Sequence, residues 1–267
     1  MADFDPNRDP ASLVNVPRSG FLARLAGAIL FYTRLPLPSG WQPSWEGIAA
    51  LAPLVGLGLA TMLALVDEGL DYGGMPRGIR SALVVGLWVW LTGGLHLDGA
   101  MDTADGLAVN DPDRRLVVMA DSRVGAFGVL AAIAVLGLKT LALADLTAGR
   151  GMVMAAAAIW GRWGQLQAIA GYPYLRSAGK GALHKIHLRL PIDFLPGLGV
   201  GMALTLVWLW LYPDQRGLAI GTLTSGLLLG WLVPAWLNHR LGGHTGDSYG
   251  ATVEWVEALV LCFSTLL

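Results

Sequence analysis

Charge is scarce in this chain. Only 14% of its 267 residues are Asp, Glu, Lys or Arg, against roughly 25% in an ordinary soluble domain. Cysteine is almost absent. Cys262 stands alone, which excludes an internal disulfide and a cysteine-based metal cluster. The formal net charge of −1 lacks the basic excess of a nucleic-acid binder. Residues 1–20 carry acids and prolines rather than a basic stretch leading into an apolar core, so they do not read as a signal peptide. They read instead as a flexible cytoplasmic tail. The alternating apolar and polar pattern of a transmembrane barrel is missing too.

Long apolar runs are plentiful. Mean hydropathy is +0.55, and 54% of the residues are hydrophobic. Crossing a bilayer core takes roughly 20 apolar residues in a helix. Runs at or near that length are Gly47–Val66, Ile79–Leu97, Val124–Ala144, Met152–Ala170, Phe194–Tyr212 and Leu218–Leu237, with a shorter one at Val253–Leu267. In lipid such runs satisfy their backbone polar groups internally as helices. The expectation is all-α: a single integral membrane domain over residues 1–267, a polytopic transmembrane helical bundle of about seven spans. Phe21–Leu35 is short and carries Arg24 and Arg34, so it reads as an interfacial or partly inserted helix. Alternating the loops by side puts twelve Lys and Arg on one side and four on the other, with Lys139 and Arg162 inside spans. The richer side is cytoplasmic by the positive-inside rule.

Three acids stand at the mouth of one apolar run, in HLDGAMDTADG: Asp98, Asp102 and Asp105. At about 100° per residue, all three fall within an arc of about 60° on a helix. Like charges on one face repel unless a cation lies between them, and carboxylate oxygens are hard ligands that suit Mg²⁺. The plainer reading is a solvated loop, and Gly99 and Gly106 weaken any helix there. A fourth acid, Asp247, sits in GGHTGDSYG with Thr245 and Ser248. That stretch reads either as an ordinary turn or as a loop whose backbone approaches a phosphate. Glu254 and Glu257 follow, as interfacial acids or support for a metal shell. In MADSRVGAFG, Arg123 either pairs with Asp121 or binds a phosphate bidentately. Charges within spans face the protein interior or an aqueous cavity; Lys139 reads as functional or paired, and Arg162 as stacked on Trp160 or Trp163. His96 reads as a helix-end or supporting residue, and His184 and His187 as a solvated or headgroup-facing pair. Acids suited to Mg²⁺, together with Arg and Lys on one side of a membrane protein, suit a diphosphate substrate.

These motifs carry a resemblance. HLDGAMDTADG, MADSRVGAFG and TGDSYGATVEWVE, with FYTRLP near the start, resemble the cobalamin synthase family, the adenosylcobinamide-GDP ribazoletransferases. The blocks run from Phe31 to Glu257 in the family's order. Family members more usually have Leu-Ala at Ala100-Met101, a departure that spares the acids. The resemblance implies an inner-membrane enzyme with its active site facing the cytoplasm, dependent on Mg²⁺. Its substrates would be adenosylcobinamide-GDP and α-ribazole or its 5′-phosphate. It also implies roles: Asp98, Asp102 and Asp105 as catalytic and metal-binding residues, joined at the metal by Asp247. Arg123, Lys139, Asp121 and Thr245 would contact substrate. Association with other corrinoid-pathway enzymes is a further expectation, and nucleic acid is not expected as a partner. Three rival readings remain. DTADGLAV matches only the start of the CDP-alcohol phosphotransferase motif, with Val109 where that motif has Arg. Prenyltransferase acids have the reverse spacing. A cation or proton-coupled transporter would place its acids near mid-membrane.

Overall fold

The computed structural model describes residues 19–176 and 180–267. The expected flexible tail therefore lies almost wholly outside the described residues. Among the described residues the fold is all-helical, with loops and turns between the helices. Its α-helices are α1 (Phe21–Tyr32), α2 (Ala52–Tyr72), α3 (Arg77–Leu91), α4 (Leu95–Ala108), α5 (Pro112–Val118), α6 (Ala126–Asp145), α7 (Arg150–Gly171), α8 (Lys180–His187), α9 (Leu195–Leu211), α10 (Arg216–Leu241) and α11 (Gly246–Ser264). Among the described residues the only β-type pairing is an isolated parallel bridge between Tyr174 and His244.

Among the described residues three helical stretches are long and apolar enough to cross a membrane: Ile48–Tyr72, Ala126–Asp145 and Pro213–Leu241. A fourth is added if α3 and α4 count as one span bent by 90°. The other runs did form helices, but each departs from a simple span. α9 is only 17 residues long. The run Ile79–Leu97 breaks after Leu91, where Gly93 and Gly94 both take positive φ, +65° and +72°, a conformation that costs glycine little. α7 is 22 residues long and almost entirely buried, and carries Arg150 and Arg162. α11 carries Asp247, Glu254 and Glu257. A helix sheathed by other helices can hold polar groups that lipid would not accept. α1 is short, as expected, and is tied down by Arg24, which donates to the carbonyls of Glu46 and Gly47 at 3.0 Å each.

α7 and α11 form the centre, packed on each other and on α2, α4, α6 and α10. Small residues set the spacing. A Cβ on Gly161 would lie 2.8 Å from Glu257 and 2.9 Å from the Val253 carbonyl. The centre is ionic as well as apolar. Lys139 of α6 donates to Glu254 and Glu257 of α11 at 2.6 Å each, and Arg162 of α7 reaches Glu257 at 2.7 Å. All four side chains are buried, and their charges balance. A second buried cluster joins other helices. Arg150 of α7 grips Asp67 of α2 bidentately at 2.7 and 2.9 Å, and Arg80 of α3 pairs with Asp67 and Asp71. Removing one partner of a buried pair leaves an uncompensated charge and costs about 3–5 kcal/mol. Lys139→Met should therefore melt well below wild type in a detergent thermal-shift assay, and adding Glu254→Gln should restore much of the loss. A single variant melting with wild type would show that the cluster contributes nothing to stability.

Candidate functional site

HLDGAMDTADG is a helix rather than a solvated loop. α4 begins immediately after the Gly93–Gly94 break, with Asp98 in its first turn. The expected phasing of the three acids is therefore real, though their surroundings differ. Asp98 is exposed and Asp102 half-buried, and neither carboxylate has a hydrogen bond or ion pair among the described residues. Asp102 feels the negative field of Asp98, Asp247 and Asp105, opposed by Arg176. Asp105 is already committed. Its two oxygens accept from the backbone N–H groups of Gly125 and Gly128, 2.8 Å each. That carboxylate caps the start of α6, where helical N–H groups lack partners. A Cβ at Gly128 would come within 2.5 Å of it, which accounts for the glycines of MADSRVGAFG.

Asp247 arrives from a distant part of the chain. α4 crosses the first turns of α11 through two glycines. A Cβ on Gly99 would lie 2.5 Å from the Asp247 carbonyl, and one on Gly250 would lie 3.0 Å from that of His96. Bare backbone at both crossings lets the helices touch, which places Asp98 and Asp247 on one chamber wall. The Gly-rich stretch itself is a helix start. Thr245 accepts from Ser248 N at 3.2 Å, and Ser248 Oγ accepts from Thr245 N at 2.8 Å, forming a capping box. Thr245 is buried in that role. His244 bonds Ser248 Oγ at 3.0 Å and the Pro234 carbonyl at 3.1 Å. Burial pushes its pKa down to about 4, so it is neutral near pH 7.

The bridge between Tyr174 and His244 then delivers a cation that the sequence reading missed. Leu175 N donates to the His244 carbonyl, and His244 N to that of Pro173, both at 2.8 Å. The next residue, Arg176, donates to Asp247 Oδ2 at 2.8 Å and to the Met119 carbonyl at 3.2 Å. Nothing local in YPYLRS marks this arginine, because its role arises from pairing with a segment some seventy residues later.

Other expected site residues lie elsewhere. Lys139 is locked into the ionic core and does not line the chamber. Arg123 is exposed and bonds Asp121 at 2.6 Å, a bond that holds the Asp121 pKa down to about 2. Arg162 pairs with Glu257 and donates to the Ala158 carbonyl, instead of the expected stacking on tryptophan, and Glu254 and Glu257 serve the core rather than a metal shell. His184 is buried against Phe31, with ring centroids 4.8 Å apart, not on a solvated face. His96 is buried in the first turn of α4. Both histidines line a chamber of about 260 Å³ that also holds Asp98, Asp247, Arg176 and Tyr249.

This arrangement suits Mg²⁺. Asp98, Asp102 and Asp247 set three carboxylates against one guanidinium. Among the described residues no three His, Cys, Asp or Glu side chains close into a metal cage. Mg²⁺ is commonly held by one or two carboxylates completed by waters and substrate phosphates.

The class is a helical bundle, with helices long and apolar enough to cross a membrane and an acidic polar chamber between them. The chain belongs to the cobalamin-5-phosphate synthase family, whose profile matches residues 24–265. It is 54% identical to the adenosylcobinamide-GDP ribazoletransferase of Trichormus variabilis over 92% of this chain and 98% of that one. The protein of the same name from Synechocystis is 49% identical over 89% of this chain and 92% of its own length. One from Prochlorococcus marinus strain MIT 9303 is 43% identical over 92% and 96%. No solved structure matches.

The two roles of the α4 acids can be separated by stability. Asp105→Ala removes a helix cap and should cost about 1–2 kcal/mol, seen as a lower melting temperature. Asp98→Ala, with no bond to lose, should melt with wild type. Equal melting of both variants would refute the cap.

Proposed function

We propose that the protein joins adenosylcobinamide-GDP to α-ribazole or its 5′-phosphate, releasing GMP and forming adenosylcobalamin or its phosphate. One observation supports this beyond family membership: Asp98, Asp247 and Arg176 converge on a chamber between α4 and α11, with Asp102 close enough to feel the charge of all three. In this reading one or two of the carboxylates Asp98, Asp102 and Asp247 hold Mg²⁺, completed by waters and substrate phosphates, and Asp105 fixes the neighbouring backbone while keeping its negative field on the site. When bound, Mg²⁺ would neutralise the diphosphate oxygens. Arg176 holds a phosphate oxygen in the part first assigned to Lys139, and exposed Arg123 is left to meet the outer part of the donor.

The ribazole 3′-hydroxyl attacks the phosphorus nearest the cobinamide. The bond from that phosphorus to the bridging oxygen breaks, and GMP departs with that oxygen. The hydroxyl proton passes to a chamber carboxylate. Holding the two reactants in line supplies much of the acceleration.

The reading keeps about seven crossings, with α7 and α11 sheathed by more apolar helices. At about 1.5 Å per residue, 22 residues extend about 33 Å, enough for a bilayer core. The bias of positive charge supports an inner-membrane protein whose chamber faces the cytoplasm, where corrinoid-pathway enzymes would have access to it.

The test is GMP release by purified protein in lipid nanodiscs supplied with both substrates and Mg²⁺. Chelation should abolish release, and added Mg²⁺ should restore it. Asp102→Asn should lower the rate by roughly 100-fold or more, the scale seen when a group that stabilises transition-state charge is lost, with melting unchanged. GMP release indifferent to chelation would sink the metal assignment, and its absence from folded wild-type protein would sink the reaction.

A further inference from the structure

The chamber wall holds polar atoms that the protein leaves unpaired. Both ring nitrogens of His96, Nε2 of His184, Oε1 of Gln165 and the hydroxyl of Tyr249 are buried without a hydrogen-bond partner among the described residues. All four side chains are at most 5% exposed, and all four line the chamber. They come from α4, α8, α7 and α11, so no single local motif explains them. Buried polar groups are nearly always paired, and leaving several unpaired in one place is costly unless something else enters to pair them.

The character of the lining says what enters. The four side chains are neutral, and burial drives the His184 pKa down to about 4, so this part of the wall offers hydrogen bonds without positive charge. A phosphate would seek cations, and the chamber's one cation, Arg176, is bonded to Asp247 and the Met119 carbonyl and to none of these four side chains. Aromatic rings complete the wall. Phe31 stands edge-on to His184, and Tyr174 stacks on Tyr249 with centroids 5.9 Å apart. A volume of about 260 Å³ suits one nucleoside and cannot admit a corrin macrocycle.

We propose that this chamber is the acceptor subsite: His96, His184, Gln165 and Tyr249 bind the uncharged nucleoside part of the ribazole, its ring nitrogen and ribose hydroxyls, and so set acceptor specificity. The assignment rests on the transfer reaction proposed above. It places the acceptor's reactive hydroxyl toward Asp98 and Asp247, and leaves the charged, bulky donor outside the neutral pocket.

The experiment measures binding without turnover. Radiolabelled α-ribazole is equilibrated with purified protein in nanodiscs, without donor, for wild type, Tyr249→Phe and Gln165→Met. Wild type should bind, with guanosine and GDP failing to displace the label, and each variant should raise Kd at least 10-fold. In steady state, KM for α-ribazole should rise similarly while kcat and KM for adenosylcobinamide-GDP stay put. Tyr249→Phe keeps the ring and its packing, so its result stands even if Gln165→Met misfolds. Absence of wild-type binding, displacement by guanosine, unchanged Kd in Tyr249→Phe, or a shift in donor KM instead would each overturn the subsite. Wild-type protein that binds α-ribazole yet releases no GMP would count against the reaction while upholding the subsite.

Discussion

Four buried charges govern this fold. Lys139, Arg162, Glu254 and Glu257 come from three helices, and none has water to turn to. Each is tolerable only while the others are in place, because an isolated buried charge costs far more than a paired one. The pairing fixes α11 in depth and rotation between α6 and α7. Depth and rotation of α11 in turn decide where Gly250 and Asp247 meet α4. The chamber is thus positioned by electrostatics two helical turns away from its own acids.

The same logic explains what the sequence revealed and what it hid. Helix locations were legible because apolar runs advertise themselves, and α2, α6 and α10 appear nearly where hydropathy puts them. The number of crossings was less legible. Hydropathy cannot distinguish a helix facing lipid from one facing other helices, and α7, almost wholly buried, shows the second case. The acids of α4 were legible as a face because helical phase is a local property. That Asp105 caps α6 was not, since its partners are backbone groups twenty residues on. Lys139 was recognised as unusual but misplaced, because a lone lysine in an apolar run looks the same whether it meets a phosphate or two glutamates. Arg176, His96 and His184 were undervalued for a related reason. Each reaches the chamber wall through long-range packing, and no spacing rule reaches across the Tyr174–His244 bridge.

The chamber combines two environments within one small volume. One wall is acidic and partly open, with Asp98 exposed and Asp247 bonded to Arg176. The other is buried, neutral and ringed by aromatics. A phosphoryl transfer as proposed above, to the hydroxyl of a nucleoside whose base and ribose carry no charge, would use such a division. Charge can then be stabilised where phosphorus reacts without drawing the donor into the acceptor's place.

The ionic core also imposes an order of assembly. The chain is made from its N-terminus, so α6 and α7 emerge while the glutamates of α11 do not yet exist. Lys139 and Arg162 must wait unpaired until α11 arrives. The insertion of α11 is then also the step that completes the chamber, since the same helix brings Asp247 and Tyr249. A chain cut short before α11 would lack both its core neutrality and its site. It would carry two stranded cations, the sort of mark by which unfinished membrane proteins can be told from finished ones.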